Sequence, residues 1–99
     1  MAVLVDVSDP AQVDAAVKQV ADAWGKVDIL INNAGVGFGS AVLTENQPKD
    51  WDGNYGVNVK GTMALCRGVI PYMEQAGAGA IVNVLITDSV TAEKLLVDA

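Results

Sequence analysis

Few residues in this sequence could move a proton or attack a substrate. There is no histidine, which removes the serine-protease type of triad and most zinc sites. The single cysteine, Cys66, excludes an internal disulfide and a CxxC site, and fits a reducing compartment. Ser40, Thr44 and Thr87 are isolated hydroxyls with no partnered base, so none reads as a nucleophile. Tyr55 and Lys60 resemble a catalytic pair only at first sight. Residues five apart lie about 140° apart around a helix and share no face. Tyr72 has no lysine soon after it. Asp50, Asp52 and Glu74 suit a solvated helix face, and Asp50 also suits the positive end of a helix dipole. No cluster has the spacing of a metal site.

The remaining polar features have a structural or binding character. Gly35, Gly37 and Gly39 form a G-x-G-x-G run. It is not the dinucleotide fingerprint, and no helix pattern opens on Gly39, so loop permissiveness is favoured over a phosphate cradle. Asp6 ends an apolar run just before a helix, where an acid can solvate the chain or cap. The amides of Asn32-Asn33 can tie neighbouring strand ends together.

These residues are placed by a regular alternation of elements. Ala2 to Val7 reads as a strand buried on both faces. Ser8-Asp9-Pro10 then starts a helix, with Asp9 as cap, Pro10 in the first turn and Gln12 in the capping-box position. Val13, Val17, Val20 and Trp24 share one face of that helix, and Gly25 stops it. Val27 to Ile31 is a second buried strand, and Ala41 to Gln47 a loop with a helical turn. Pro48-Lys49-Asp50-Trp51 opens a helix toward Glu74, with Met63, Leu65, Cys66, Val69, Ile70 and Met73 as its apolar surface. Pro71 should bend it or end its regular part. Gly77-Ala78-Gly79 is a turn, and Ala80 to Ile86 a third buried strand. Apolar rather than alternating strands, separated by helices, argue for βαβ crossovers in a parallel α/β sheet. The tail allows a helix over Val90 to Val97, or a loop and a strand at Lys94 to Val97.

Composition sets the outer limits. The 99 residues make one domain, and 52% hydrophobic with 18% charged residues argues against disorder. Six Lys/Arg against twelve Asp/Glu give a net charge of −6, which weighs against a nucleic-acid partner. No apolar run is long enough to span a bilayer, and the N-terminus lacks the basic region of a signal peptide. A soluble, acidic, cytoplasmic protein is expected.

Several segments, in order, resemble the short-chain dehydrogenase/reductase family. They are Asp6-Val7 after a strand, Trp24-Gly25-Lys26-Val27-Asp28-Ile29-Leu30, Asn32-Asn33-Ala34-Gly35, Trp51, Val57-Asn58-Val59-Lys60-Gly61-Thr62, Ile70-Pro71-Tyr72-Met73 and Gly79-Ala80-Ile81-Val82-Asn83-Val84. Thr87 to Asp98 is similar to the family's C-terminal ending, with Ala92 and Ala99 where glycines are expected.

The resemblance implies an α/β fold, a partial Rossmann-like parallel sheet ordered β-α-β-α-β with a C-terminal strand or helix. On this view residues 1–99 form a single truncated or rearranged domain. It implies NAD or NADP as cofactor and an alcohol or carbonyl as substrate. Asp6 and Val7 match the positions that meet adenine, and Asn33, Ala34 and Gly35 the segment beside the adenosine ribose. Of the family's catalytic asparagine, serine, tyrosine and lysine, only the asparagine has a counterpart, Asn58. Leu85 and Ile86 stand at the serine position, the tyrosine–lysine pair is absent, and Val7-Ser8-Asp9-Pro10 replaces the glycine-rich turn. The helix over residues 50–75, around Thr62 to Met73, resembles the family's subunit-contact helix and implies a homo-oligomer. The expectation is a relative of these enzymes that is inactive alone, the alternative a non-catalytic nucleotide-binding remnant or self-associating fragment.

Overall fold

The computed structural model describes residues 1–84 other than Ala41. The tail readings and the Leu85–Ile86 end of the third strand lie outside the described residues.

Helix α1 spans Pro10–Trp24 and starts where the sequence provides a cap. The Asp9 carboxylate accepts from the Ala11 N–H at 3.0 Å and the Gln12 N–H at 3.5 Å. Gln12 does not close a capping box on the Asp9 N–H. Its amide instead donates to the Asp9 carboxylate at 3.1 Å and accepts from the Asp6 N–H at 2.9 Å. Gly25, in the left-handed region at φ 77°, ends the helix and donates to the Ala21 carbonyl. The buried row is Val13, Val17 and Ala21, a strict i, i+4 ridge. Trp24, expected on that face, is 64% exposed, because it borders an open cleft rather than a packed neighbour.

The first segment is not a strand. Strand structure needs a laddered neighbour, and here the backbone groups are used locally, Asp6 N–H on Gln12 and Ser8 N–H on the Asp6 carboxylate. A cavity of about 580 Å³ lies between Val3 and Val5 on one side and Ile29 and Leu30 on the other. Val3, Val5 and Val7 are half-buried while Leu4 and Asp6 are exposed, so the segment has one inward face instead of two.

Strand β1, Ile29–Asn32, pairs in parallel with β2, Ala80–Asn83, in the register Ile29↔Ala80 through Asn32↔Asn83. Ala80 N–H to Asp28 O and Val84 N–H to Asn32 O extend the ladder at both ends. The strands were expected to be buried; instead Ile29 and Ile31 are 64% and 61% exposed, and β2 is exposed along its length. Among the described residues β2 is exposed on both faces, and β1 turns Leu30 and Asn32 toward the helix that follows.

That helix is nearly continuous. A 3₁₀ turn, Leu43–Glu45, leads to α2, Pro48–Tyr55; a wider π-helical segment, Gly56–Gly61, joins it to α3, Thr62–Ala76. The Asp50 carboxylate accepts from the Gln47 N–H at 2.9 Å and fixes the α2 start. Pro71 does not end α3, which runs on to Ala76. The ring is on the exposed side, where the carbonyl it leaves without an N–H donor can meet water.

The core is the α1–α3 contact: Val13, Val17 and Ala21 against Val69 and Met73, with Val27 below. Gly68 makes the approach possible, since a Cβ there would stand 3.1 Å from Val17 Cγ2. Of the apolar surface expected on α3, Val69 and Met73 are buried and Leu65 and Cys66 half-buried; Met63 and Ile70 face outward.

Candidate functional site

The parallel strands end side by side at Asn32 and Asn83, and a cavity of about 510 Å³ opens beyond them. Its wall includes Ala34, Gly35, Val36, Asn58, Thr62 and Asn83. A crevice outside the carboxyl ends of parallel strands is where α/β sheets bind ligands. Among the described residues no ionisable side chain lines it. The crevice can therefore bind through amides, backbone groups and apolar contact, and it brings no proton donor or acceptor active near neutral pH.

Asn32 ties the strand ends together. It is 6% exposed, and its Nδ2 donates to Asn83 Oδ1 at 2.9 Å and toward Cys66 Sγ at 3.5 Å. The amide tie expected at Asn32-Asn33 is thus made by Asn32. Its Oδ1 is buried with no partner, which costs about 1–3 kcal/mol. Asn33 is exposed and outside the crevice wall, whereas Ala34 and Gly35 are in it.

Asn58 sits in the π-helical segment, a local widening common at functional sites. Its Oδ1 accepts from the Val36 N–H at 2.9 Å and its Nδ2 donates to the Val36 carbonyl at 2.9 Å. Both ends of the amide are engaged on one loop residue, so the first effect of Asn58 is to hold the crevice wall. Its backbone carbonyl accepts from Thr62 Oγ1 at 3.2 Å.

Asp6 and Val7 are not part of the crevice wall. The Asp6 carboxylate is fully exposed and accepts from the Ser8 hydroxyl at 2.7 Å and the Ser8 N–H at 2.9 Å. The hydroxyl first, and then the N–H, hold its carboxyl below the ordinary value. Val7 packs on Gly61, where a Cβ would stand 2.8 Å from Val7 Cγ2 and 3.1 Å from the Val7 carbonyl oxygen. That contact docks the first segment on the helix three residues beyond Asn58.

The two parts of a dinucleotide fit differently. Small residues at Ala34, Gly35 and Gly37 let a flat nucleoside approach the backbone. A pyrophosphate finds no equivalent at α1, because Asp9 already occupies the anion position at the helix N-terminus. Thr62, Asn54 and Asn46 were missed from the sequence; Asn54 bonds the Phe38 backbone and Asn46 the Ser40 backbone. The signal available was the recurrence of asparagine at 46, 54 and 58 beside an extended loop.

A family model described as short chain dehydrogenase matches residues 1–95. The chain belongs to the short-chain dehydrogenases. It is 45% identical over 78 residues to a D-threitol dehydrogenase of Mycolicibacterium smegmatis, covering 79% of this chain and 30% of that protein. It is 37% identical over 81 residues to a 3-oxoacyl-[acyl-carrier-protein] reductase of Thermotoga maritima, covering 82% and 32%. The crystal structure of a 3-ketoacyl-ACP reductase from Sinorhizobium meliloti superposes with a TM-score of 0.81 at 36% identity, over 84% of this chain and 32% of that one. A metagenomic short-chain oxidoreductase in complex with NADP gives 0.78 at 34% identity, over 85% and 38%. The chain spans about a third of the length of the curated relatives it matches. These short-chain dehydrogenases share its α/β Rossmann fold, and NADP is bound in one of them. Among the described residues, no helix is long and apolar enough to cross a membrane and no three potential metal ligands cluster.

Proposed function

We propose that this chain builds the nucleotide-side wall of an NAD(P)-dependent alcohol/carbonyl oxidoreductase site and does not complete hydride transfer with its 99 residues alone. The observation that carries this reading is the crevice at the carboxyl ends of β1 and β2, with Asn58 holding Val36 in its wall. Asn33, Ala34 and Gly35 lie alongside the adenosine ribose. The Asp6 carboxylate, ionised at neutral pH, accepts from the adenine amino group with the Val7 backbone beside it. NAD or NADP, when bound, supplies the hydride donor or acceptor. Asn58 fixes the loop and leaves its main-chain oxygen toward Thr62 as the polar group of the widened turn.

The step this chain does not supply is proton transfer at the substrate oxygen. Val59 and Ala76 stand four residues after Tyr55 and Tyr72, where an activating lysine is needed. A positioned acid or base contributes about 10²–10⁴-fold. Purified chain with NADH or NADPH and a panel of aldehydes and ketones is expected to show no turnover above the blank; turnover would overturn the assignment. Calorimetry with AMP, ADP and NAD should give binding that weakens in Asp6→Ala, and binding indifferent to that change would remove Asp6 from the site.

A specific set of side chains supports a second role, self-association. Trp51 and Tyr55 on α2, Val59 in the π-helical segment and Met63 on α3 are 41–63% exposed. Exposed apolar side chains spread along one long helix suit a homo-oligomer contact through the 50–75 helix. Light scattering over a concentration series is expected to show association that Trp51→Lys with Val59→Lys reduces. A strictly monomeric chain would exclude it.

A further inference from the structure

The loop after β1 is held in an unusual way. Asn58 bonds both backbone groups of Val36, at 2.9 Å each. Asn54 does the same for Phe38, accepting from its N–H at 3.0 Å and donating to its carbonyl at 3.2 Å. Asn46 does so for Ser40, accepting from its N–H at 2.6 Å and donating to its carbonyl at 2.9 Å. Three primary amides therefore satisfy alternate residues of the segment. Neither the Gly37 nor the Gly39 N–H has a partner among the described residues.

The match has a simple basis. Asn54, near the end of α2, and Asn58, in the π-helical segment, lie about one widened turn apart and meet residues two apart in the loop. Asn46, just before the helix, adds the third position. A side-chain amide carries one acceptor and one donor at the spacing of a peptide group, so each mimics one residue of a neighbouring strand. Two fitted positions hold the arrangement closed. Gly53 leaves room for the Phe38 ring, and Gly39, at φ 88°, lies where a Cβ would collide with the Asn46 amide.

We propose that Asn54 and Asn46 are positioning residues that act with Asn58 as a row of peptide-mimicking amides, setting the course of residues 36–40 and so the crevice wall at Val36 and Gly37. The inference rests on the crevice being the ligand site, yet its test needs no ligand, so the two can fail separately. In the ¹⁵N-labelled full chain, the N–H groups of Val36, Phe38 and Ser40 should exchange at least about fivefold more slowly than those of Gly37 and Gly39. Asn54→Ala should abolish the protection of Phe38, raise exchange at Val36 and Ser40 several-fold, and shift the Gly35 and Gly37 resonances. The Val17 and Ala21 amides of α1 serve as the folding reference and should keep their protection. Asn54→Asp, which retains the acceptor, should restore protection at Phe38; the ring signals of Phe38, the only phenylalanine, should return with it. Uniform exchange across the loop in the unaltered chain would overturn the proposal. So would Phe38 protection unchanged in Asn54→Ala, or no recovery in Asn54→Asp.

Discussion

Between α1 and α3 the contacts are apolar and close, with Val13 fully buried and Gly68 admitting Val17. Around the crevice there is almost no apolar burial. Asn32, Asn46, Asn54 and Asn58 bind Asn83 and the loop backbone instead. The difference follows from what each region must leave open. A core can close on itself, because its elements need only exclude water. A crevice wall has to remain accessible at Ala34 to Gly37, so directional hydrogen bonds fix it where packing cannot. Val7 against Gly61 is one joint between the two halves, linking the first segment to the turn that carries Asn58.

Substitutions can separate the two modes. The largest loss is expected from Val13→Ala, about 2–3 kcal/mol from lost burial and the cavity left behind, read as a lower denaturation midpoint. It should leave the relative exchange pattern of residues 36–40 intact. Gly61→Ala acts on the joint, where the new methyl must displace Val7; roughly 1–3 kcal/mol is expected, with amide shifts in both halves. Shifts confined to one half would show that Val7–Gly61 does not couple them. Asn58→Ala should cost about 1 kcal/mol globally while altering the Val36 amide strongly, the reverse of the Val13→Ala signature. Asp9→Ala removes the α1 cap and should cost about 1 kcal/mol, with fraying at the Ala11 and Gln12 amides.

The smallest effect is electrostatic. Ser8→Ala removes the main donor to the Asp6 carboxylate, so the Asp6 pKa should rise toward its ordinary value. A depressed carboxyl pKa contributes stability that is present above the unfolded-state value and lost as pH falls through the folded-state value. The unaltered chain should therefore hold this turn to lower pH than the variant, and an NMR titration of Asp6 reads the shift. Full exposure keeps the effect on stability small.

Much of the architecture was legible because local chemistry announces it. Asp9-Pro10, Gly25 and Pro48 mark helix ends whatever the tertiary context, and the parallel pairing of the strand after Val27 with that after Gly79 followed from the βαβ order. Burial was less legible. Ile29, Ile31 and Val82 have the composition of strands covered on both faces, yet a residue type records the environment it suits, not the neighbours it has. Ala2 to Val7 shows the same limit, since a β-prone run without a ladder partner stays outside the sheet. At the site, Ala34, Gly35 and Asn58 meet in one wall, while Asn33 and Asp6 stand apart from it. The roles of Asn54 and Asn46 depend on side chains of one segment meeting the backbone of another, a relation no single window of sequence contains.

Nucleotide binding at the crevice wall, as proposed above, is tested most directly by a titration of the ¹⁵N-labelled chain with NAD and NADP. Saturable shifts are expected at Asp6, Val7, Ala34, Gly35 and Val36, with the α1 amides of Val17 and Ala21 unmoved. Saturable shifts elsewhere with none at Ala34 to Val36, or no shifts at all, would contradict it.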